Sequence, residues 1–431
     1  MQIILLSGGS GKRLWPLSND VRSKQFIKIF KGPDGSEESM VQRITRGIKK
    51  QIPDASITIA TGKTQVSALM NQLGDNVNIC VEPCRRDTFP AIALAASFLK
   101  DELKADANEA VVVCPVDPYV EDDYFLALKR IADETDKNPA GLTLMGIEPT
   151  YPSEKYGYIL ANPDDIVNSF KEKPDLETAK KLLEQKALWN GGVFGFKLKY
   201  LLEKTESIIG YSDFKSLHDN YEALTKISFD YAVVEKEDKI RVSRFSGQWK
   251  DLGTWNTLTE SMTDSVVGNA VLDDTSENTH IVNELDLPIL GMGLKNIVVA
   301  ASADGILVAD KHESSYMKPY VDKLEGPVMY AEKSWGSYKV LDVEKESLTI
   351  KVTLLPNHEM NYHAHERRTE VWTCLEGEGE VTLNGITTPL KPGDVVHINI
   401  GDKHKVKANT RLVLSEVQIG KDIDVKDKIK Y

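Results

Sequence analysis

Apolar positions over roughly the first 250 residues fall into two alternating patterns. Short unbroken runs such as Ile3 to Leu6, Ser56-Ile57-Thr58-Ile59-Ala60 and Ala110-Val111-Val112-Val113 have the length and β-branched content of buried strands. Longer helix-like stretches such as Ala91 to Leu99 lie between them. This rhythm predicts an α/β, Rossmann-like, mostly parallel sheet covered by helices on both faces, with ligands at the carboxyl ends of the strands. From about Met262 to Leu324 the pattern changes to short β-branched runs with polar turns, among them Thr279 to Val282, Asn296 to Ala300 and Gly305 to Ala309. A small β module, similar to a short β-helix, is expected there. After Trp335, strand-like runs at Ser347 to Leu355, Glu370 to Leu375, Gly379 to Leu383, Asp394 to Ile400 and Leu412 to Val417, with a turn signal at Asn384-Gly385, predict a double-sheet jelly-roll barrel. The expected domains are 1–261, 262–326 and 327–431.

Composition narrows the partners. The 431 residues, 41% apolar and 27% charged, suit two or three ordinary globular domains, and a net charge of -12 argues against nucleic acid or an anionic membrane as partner. A locally basic site for a small anion remains compatible with that charge. Cys80, Cys84, Cys114 and Cys374 lack metal or redox spacing and read as reduced. The apolar start is too short for a signal peptide and no window approaches a membrane span, so a cytoplasmic location is expected.

Gly8-Gly9-Ser10-Gly11-Lys12-Arg13 follows the first strand. Its glycines let a phosphate approach backbone N–H groups, and its two cations supply positive charge, which reads as a triphosphate cradle. It is neither a P-loop nor a dinucleotide fingerprint. Other features are ambiguous alone: Asp87 or Thr88 could simply cap a helix, Asp117 could form a turn, and Phe170-Lys171-Glu172-Lys173-Pro174 could be a solvated turn. His363-Ala364-His365 with Glu370 and His404 has metal-ligand spacing, against a reading as scattered surface histidines.

The run Gly8 to Ser18 with Lys24-Gln25-Phe26 resembles the mannose-1-phosphate guanylyltransferase family, in its long bacterial form with a C-terminal cupin of the type II phosphomannose isomerase kind. Matching blocks recur along nearly the whole chain. The resemblance implies Mg²⁺-dependent transfer of GMP from GTP to α-D-mannose 1-phosphate, giving GDP-mannose and pyrophosphate for polysaccharide synthesis, by a cytoplasmic homodimer. It implies nucleotide contacts from Leu6, Gly8, Gly9, Ser10, Gly11, Lys12, Arg13, Lys24, Glu82, Arg86, Asp87, Thr88 and Asp117, and sugar-phosphate contacts from Tyr156, Gly157, Glu172, Lys173 and Asn190. Arg13, Lys24, Lys173, Asp117 and Asp251 would be catalytic, the two aspartates holding magnesium. Phe89, Val116, Pro118 and Gly191 depart from the family pattern. In the cupin, His363, His365, Glu370 and His404 would hold zinc or another divalent metal. Arg367 stands at a usual histidine and Lys405 at a usual arginine, so metal binding is expected with little or no isomerase activity, and a bifunctional enzyme is the alternative. A nucleotidyltransferase for another sugar 1-phosphate, or a non-catalytic nucleotide-sugar sensor, are the rival readings.

Overall fold

The structure, a computed structural model, describes residues 1–8, 11–19, 21–137, 141–324, 326–421, 423 and 427–431. Ile3, Ile4 and Leu5 are fully buried in the strand Gln2–Ser7, which lies between Ser56–Gly62 and Ala110–Pro115, parallel to both. Asn78–Glu82 adds to the far side of Ser56–Gly62, again parallel. Because these four strands run the same way, Gly8, Glu82 and Asp117 leave the sheet at one edge. Leu188–Lys197 joins Ala110–Pro115 in the opposite sense, and the sheet reaches nine strands among the described residues. Helix Thr88–Asp101 is apolar nearly all round, with Phe89, Ile92, Leu94 and Leu99 buried, so it packs as a core element. Gly47 in helix Met40–Gln51 is a close-approach site: a Cβ there would lie 2.2 Å from the Phe125 ring of helix Asp122–Lys137.

Two compact units result. The first comprises Met1–Ser10, Ser23–Val66 and Leu73–Thr263, and the second Gly11–Arg22, Ser67–Gln72 and Asp264–Tyr431. In the second unit, Val266–Gly268, His280–Asn283 and Ile297–Ser302 stack in parallel, as do Ala270–Leu272 and Ile289–Gly291, which makes a short coil of strands. A six-stranded and a five-stranded sheet follow, with Val352, Leu354, Trp372, Val406 and Leu414 among the buried residues of their apolar core. Asn384 and Gly385 both have positive φ, 49° and 85°, as a tight hairpin between Gly379–Leu383 and Ile386–Leu390 requires. All four cysteines are free thiols. No helix among the described residues is long and apolar enough to cross a membrane.

Candidate active site

Strand Pro118–Val120 pairs antiparallel with Trp249–Asp251, and Asp251 stands opposite Pro118. That ladder brings Asp117 and Asp251 together. Lys24 Nζ lies 2.8 Å from Asp117 Oδ2 and 3.4 Å from Asp251 Oδ1. The turn that carries this lysine is fastened by its neighbour: Gln25 Nε2 donates to Ser7 Oγ at 3.0 Å and to Gln65 Oε1 at 3.3 Å. Burial opposes the Lys24 charge, but Asp117 and then Asp251 outweigh it and raise the ammonium above its usual range. Two carboxylates that already converge on one cation, both partly open to solvent, suit a magnesium ion that keeps several waters.

A second cluster lies in the same unit. The Tyr156 ring is 4.8 Å from Trp189 and 5.4 Å from Trp249, an aromatic group of the kind that faces a pyranose. Gly157 accepts a hydrogen bond from Asn190 N at 2.8 Å, and a Cβ on it would come within 2.4 Å of Glu172 Oε2. Lys173 Nζ is 2.6 Å from Glu172 Oε1, and Asn190 Nδ2 donates to Asp230 Oδ1 at 2.7 Å. Glu172 Oε2 is buried with no hydrogen-bond partner among the described residues, an acceptor ready for a hydroxyl. Burial, and then the Glu172 charge, push the Asp230 carboxyl up to about 6. Asp230 is absent from the sequence-derived set. Its signal in the sequence was no more than a carboxylate within the Ser228-Phe229-Asp230-Tyr231-Ala232 stretch.

The Glu82 to Thr88 segment is tied to the chain around residue 225. Glu82 Oε2 accepts from the Tyr221 hydroxyl at 2.8 Å, Arg86 Nη2 donates to Glu222 O, and Thr88 Oγ1 accepts from Phe229 N at 2.8 Å. Asp87 caps the helix by accepting from Thr88 N. Leu6 is in the central strand and Gly8 is exposed at its end, whereas Gly9 and Ser10 lie outside the described residues. Gly11, Lys12 and Arg13 belong to the second unit, where Lys12 Nζ is 3.2 Å from Asp322 Oδ1 and Arg13 is exposed.

In the barrel, His363, His365 and His404 present nitrogen atoms within 4.8 Å of one another. Their Nδ1 atoms lie 2.7, 2.5 and 2.9 Å from the carbonyl oxygens of Asn361, Asp427 and Asp402. A carbonyl only accepts, so each Nδ1 carries the proton and each Nε2 keeps its lone pair, as a metal-binding imidazole requires. Glu370 Oε1 lies 3.1 Å from His365 Nε2 and Oε2 lies 3.5 Å from His404 Nε2. His404 Nε2 is buried and makes no hydrogen bond among the described residues. Arg368 enters the same cluster, with Nε 2.9 Å from Glu370 Oε1 and Nη2 3.2 Å from His365 Nε2. Burial opposes the Glu370 charge, but the fixed Arg368 cation beside it favours the ionised form, and the carboxyl lies well below the usual range. This donor set fits a divalent metal. A cavity of about 670 Å³ opens beside it, lined in part by Lys333, Trp335, Tyr338, Lys428 and Lys430. Arg367 is turned to Asp427, 3.6 Å away, and Lys405 pairs with Glu359 at 2.9 Å.

A nucleotidyl transferase family model matches residues 2–266, and a cupin domain model matches residues 350–416. The chain is 29% identical to a mannose-1-phosphate guanylyltransferase of Salmonella montevideo, over 99% of this chain and 98% of that one. It is 28% identical to a xanthan biosynthesis protein, XanB, of Xanthomonas campestris pv. campestris, over 99% and 97%. A crystal structure described as a mannose-1-phosphate geranyltransferase from Thermus thermophilus superposes with a TM-score of 0.64 at 28% identity, covering 75% of this chain and 99% of that one.

Proposed function

The chain belongs to the nucleotidyl transferase family, and on that premise we propose how it acts as a mannose-1-phosphate guanylyltransferase with a C-terminal cupin. The observation that carries the reading is the convergence of Asp117 and Asp251 on Lys24, in one compact unit with the Glu172, Lys173, Asn190 and Asp230 cluster. A phosphate oxygen of α-D-mannose 1-phosphate attacks the α-phosphorus of GTP. The new P–O bond forms as the bond to the bridging β-phosphate oxygen breaks, and pyrophosphate leaves with that electron pair. No protein nucleophile takes part, so the side chains hold and orient two mutually repelling anions. Lys12, Arg13 and Lys24 hold the triphosphate, and Glu82, Arg86, Asp87 and Thr88 shape the nucleoside end. Lys173 holds the acceptor phosphate, while Glu172, Asn190 and Asp230 take sugar hydroxyls over the Tyr156 platform. Magnesium on Asp117 and Asp251 supplies neutralising charge to the phosphates when bound. His363, His365, Glu370 and His404 hold a divalent transition metal, zinc being the first choice for such a set.

The reading keeps the domains 1–261, 262–326 and 327–431, a cytoplasmic setting where GTP is made, and a homodimer, to which the exposed Ile306 and Val308 of an edge strand lend support. Pyrophosphate release from GTP, UTP, ATP and TTP with mannose 1-phosphate tests it. GTP should lead, and equal or better turnover with UTP would count against it.

A further inference from the structure

Gly11–Arg22 carries Lys12 and Arg13 and leads through Ser23 into Lys24, yet the side chains that fix it come from far along the sequence. Arg22 Nη1 and Nη2 donate in a fork to Glu284 at 2.7 and 2.9 Å, and the guanidinium sits 5.3 Å above the Tyr330 ring. Asn19 Nδ2 donates to Asp304 Oδ2 at 2.7 Å, while the other Asp304 oxygen accepts from Met329 N at 2.8 Å. Ser302 Oγ donates to Pro16 O at 2.7 Å. Gly305 lies so close to Trp15 that a Cβ would fall 2.5 Å from the indole. Within the segment, Asn19 Oδ1 accepts from Val21 N at 2.8 Å and Arg22 N at 2.6 Å, which couples the anchor at Asn19 to the one at Arg22.

A buried arginine in a two-bond fork has little freedom, and a chain pinned at residues 15, 16, 19 and 22 cannot place its cations independently of those pins. We infer that Glu284 and Asp304 are positioning residues for guanylyl transfer, acting through Arg22 and Asn19 on the cations that hold the triphosphate. This rests on the functional reading above.

The test uses the full chain. Glu284→Gln and Asp304→Asn should each lower kcat/KM for GTP at least about tenfold, at a temperature where melting curves show the protein folded, since a misplacement of about 1 Å can cost about 10²-fold. The KM for mannose 1-phosphate should move less than about twofold. Glu284→Gln leaves the Arg22 charge without its carboxylate and can unfold the chain, so Arg22→Met supplies a second background. There, Glu284→Gln should add almost nothing, because Glu284 acts through Arg22. A lowered Tm with unchanged GTP kinetics, or fully multiplicative losses in the double variant, would overturn the inference. A wild-type chain without guanylyl transfer defeats the functional reading and this inference together. An active wild type with unmoved variants defeats the inference alone.

Discussion

Asp251 faces Pro118 across an antiparallel ladder, one peptide bond from Asp117. A two-stranded ribbon thereby makes one site of two carboxylates that no sequence window contains. If they share one ion, Asp117→Asn and Asp251→Asn should each cut turnover at least about 10²-fold, and the double variant should lose little more, since the groups act as a unit. Steady-state rates at saturating magnesium decide it. Fully multiplicative losses would mean two independent roles.

Lys173 is about half exposed and bonded to Glu172, on the acceptor side of the proposed site. Lys173→Ala should raise the KM for mannose 1-phosphate at least about tenfold and leave that for GTP within about twofold, as loss of one charged contact at one substrate would do. Equal rises in both constants would remove Lys173 from the acceptor phosphate.

Asp230 gives a pH signature. Its carboxyl is raised from 3.8 to about 6 by burial and then by Glu172, so between those values the folded chain binds more protons than the unfolded one. The contribution of this group to stability is full below about 4 and is lost as pH rises through about 6. Asp230→Asn should therefore gain in Tm relative to wild type as pH goes from 4 to 6. Melting curves across that range check the trend, and the opposite trend would show that Asp230 is not held in this environment.

The barrel should retain a divalent transition metal. Metal analysis of the purified full chain is expected to give about one ion in this site, and His404→Ala should weaken its binding at least about tenfold. Conversion of mannose 6-phosphate to fructose 6-phosphate by the full chain is expected to be slow or undetectable. Rapid conversion that disappears in His365→Ala would establish a second activity.

Much of this was legible in the sequence because it is local. Unbroken runs such as Ile3 to Leu6 report burial on both faces, Asn384-Gly385 reports a turn with two positive φ values, and His363-Ala364-His365 reports two imidazoles at period two. What sequence reading missed depends on long-range packing. Asp230 sits in a helix of four residues, and only its approach to Asn190 and Glu172 makes it a site residue. Arg368 bonds two of the proposed metal ligands, Glu370 and His365, a juxtaposition that no spacing in the sequence reports. The partners of Arg22 and Asn19 lie beyond any periodic signal, since periodicity describes a segment and says nothing of what it will meet.

Those distant anchors also bear on how the molecule comes into being. Pro16 receives its hydrogen bond from a serine 286 residues further along, and Asn19 bonds an aspartate 285 residues away. At roughly 5–20 residues per second, the interval between synthesis of the loop and synthesis of its anchors is on the order of tens of seconds. The segment that holds Pro16 and Asn19 thus acquires these contacts only after some 285 further residues have been made, and a nascent chain whose strand Gln2–Ser7 has already found its neighbours still lacks them.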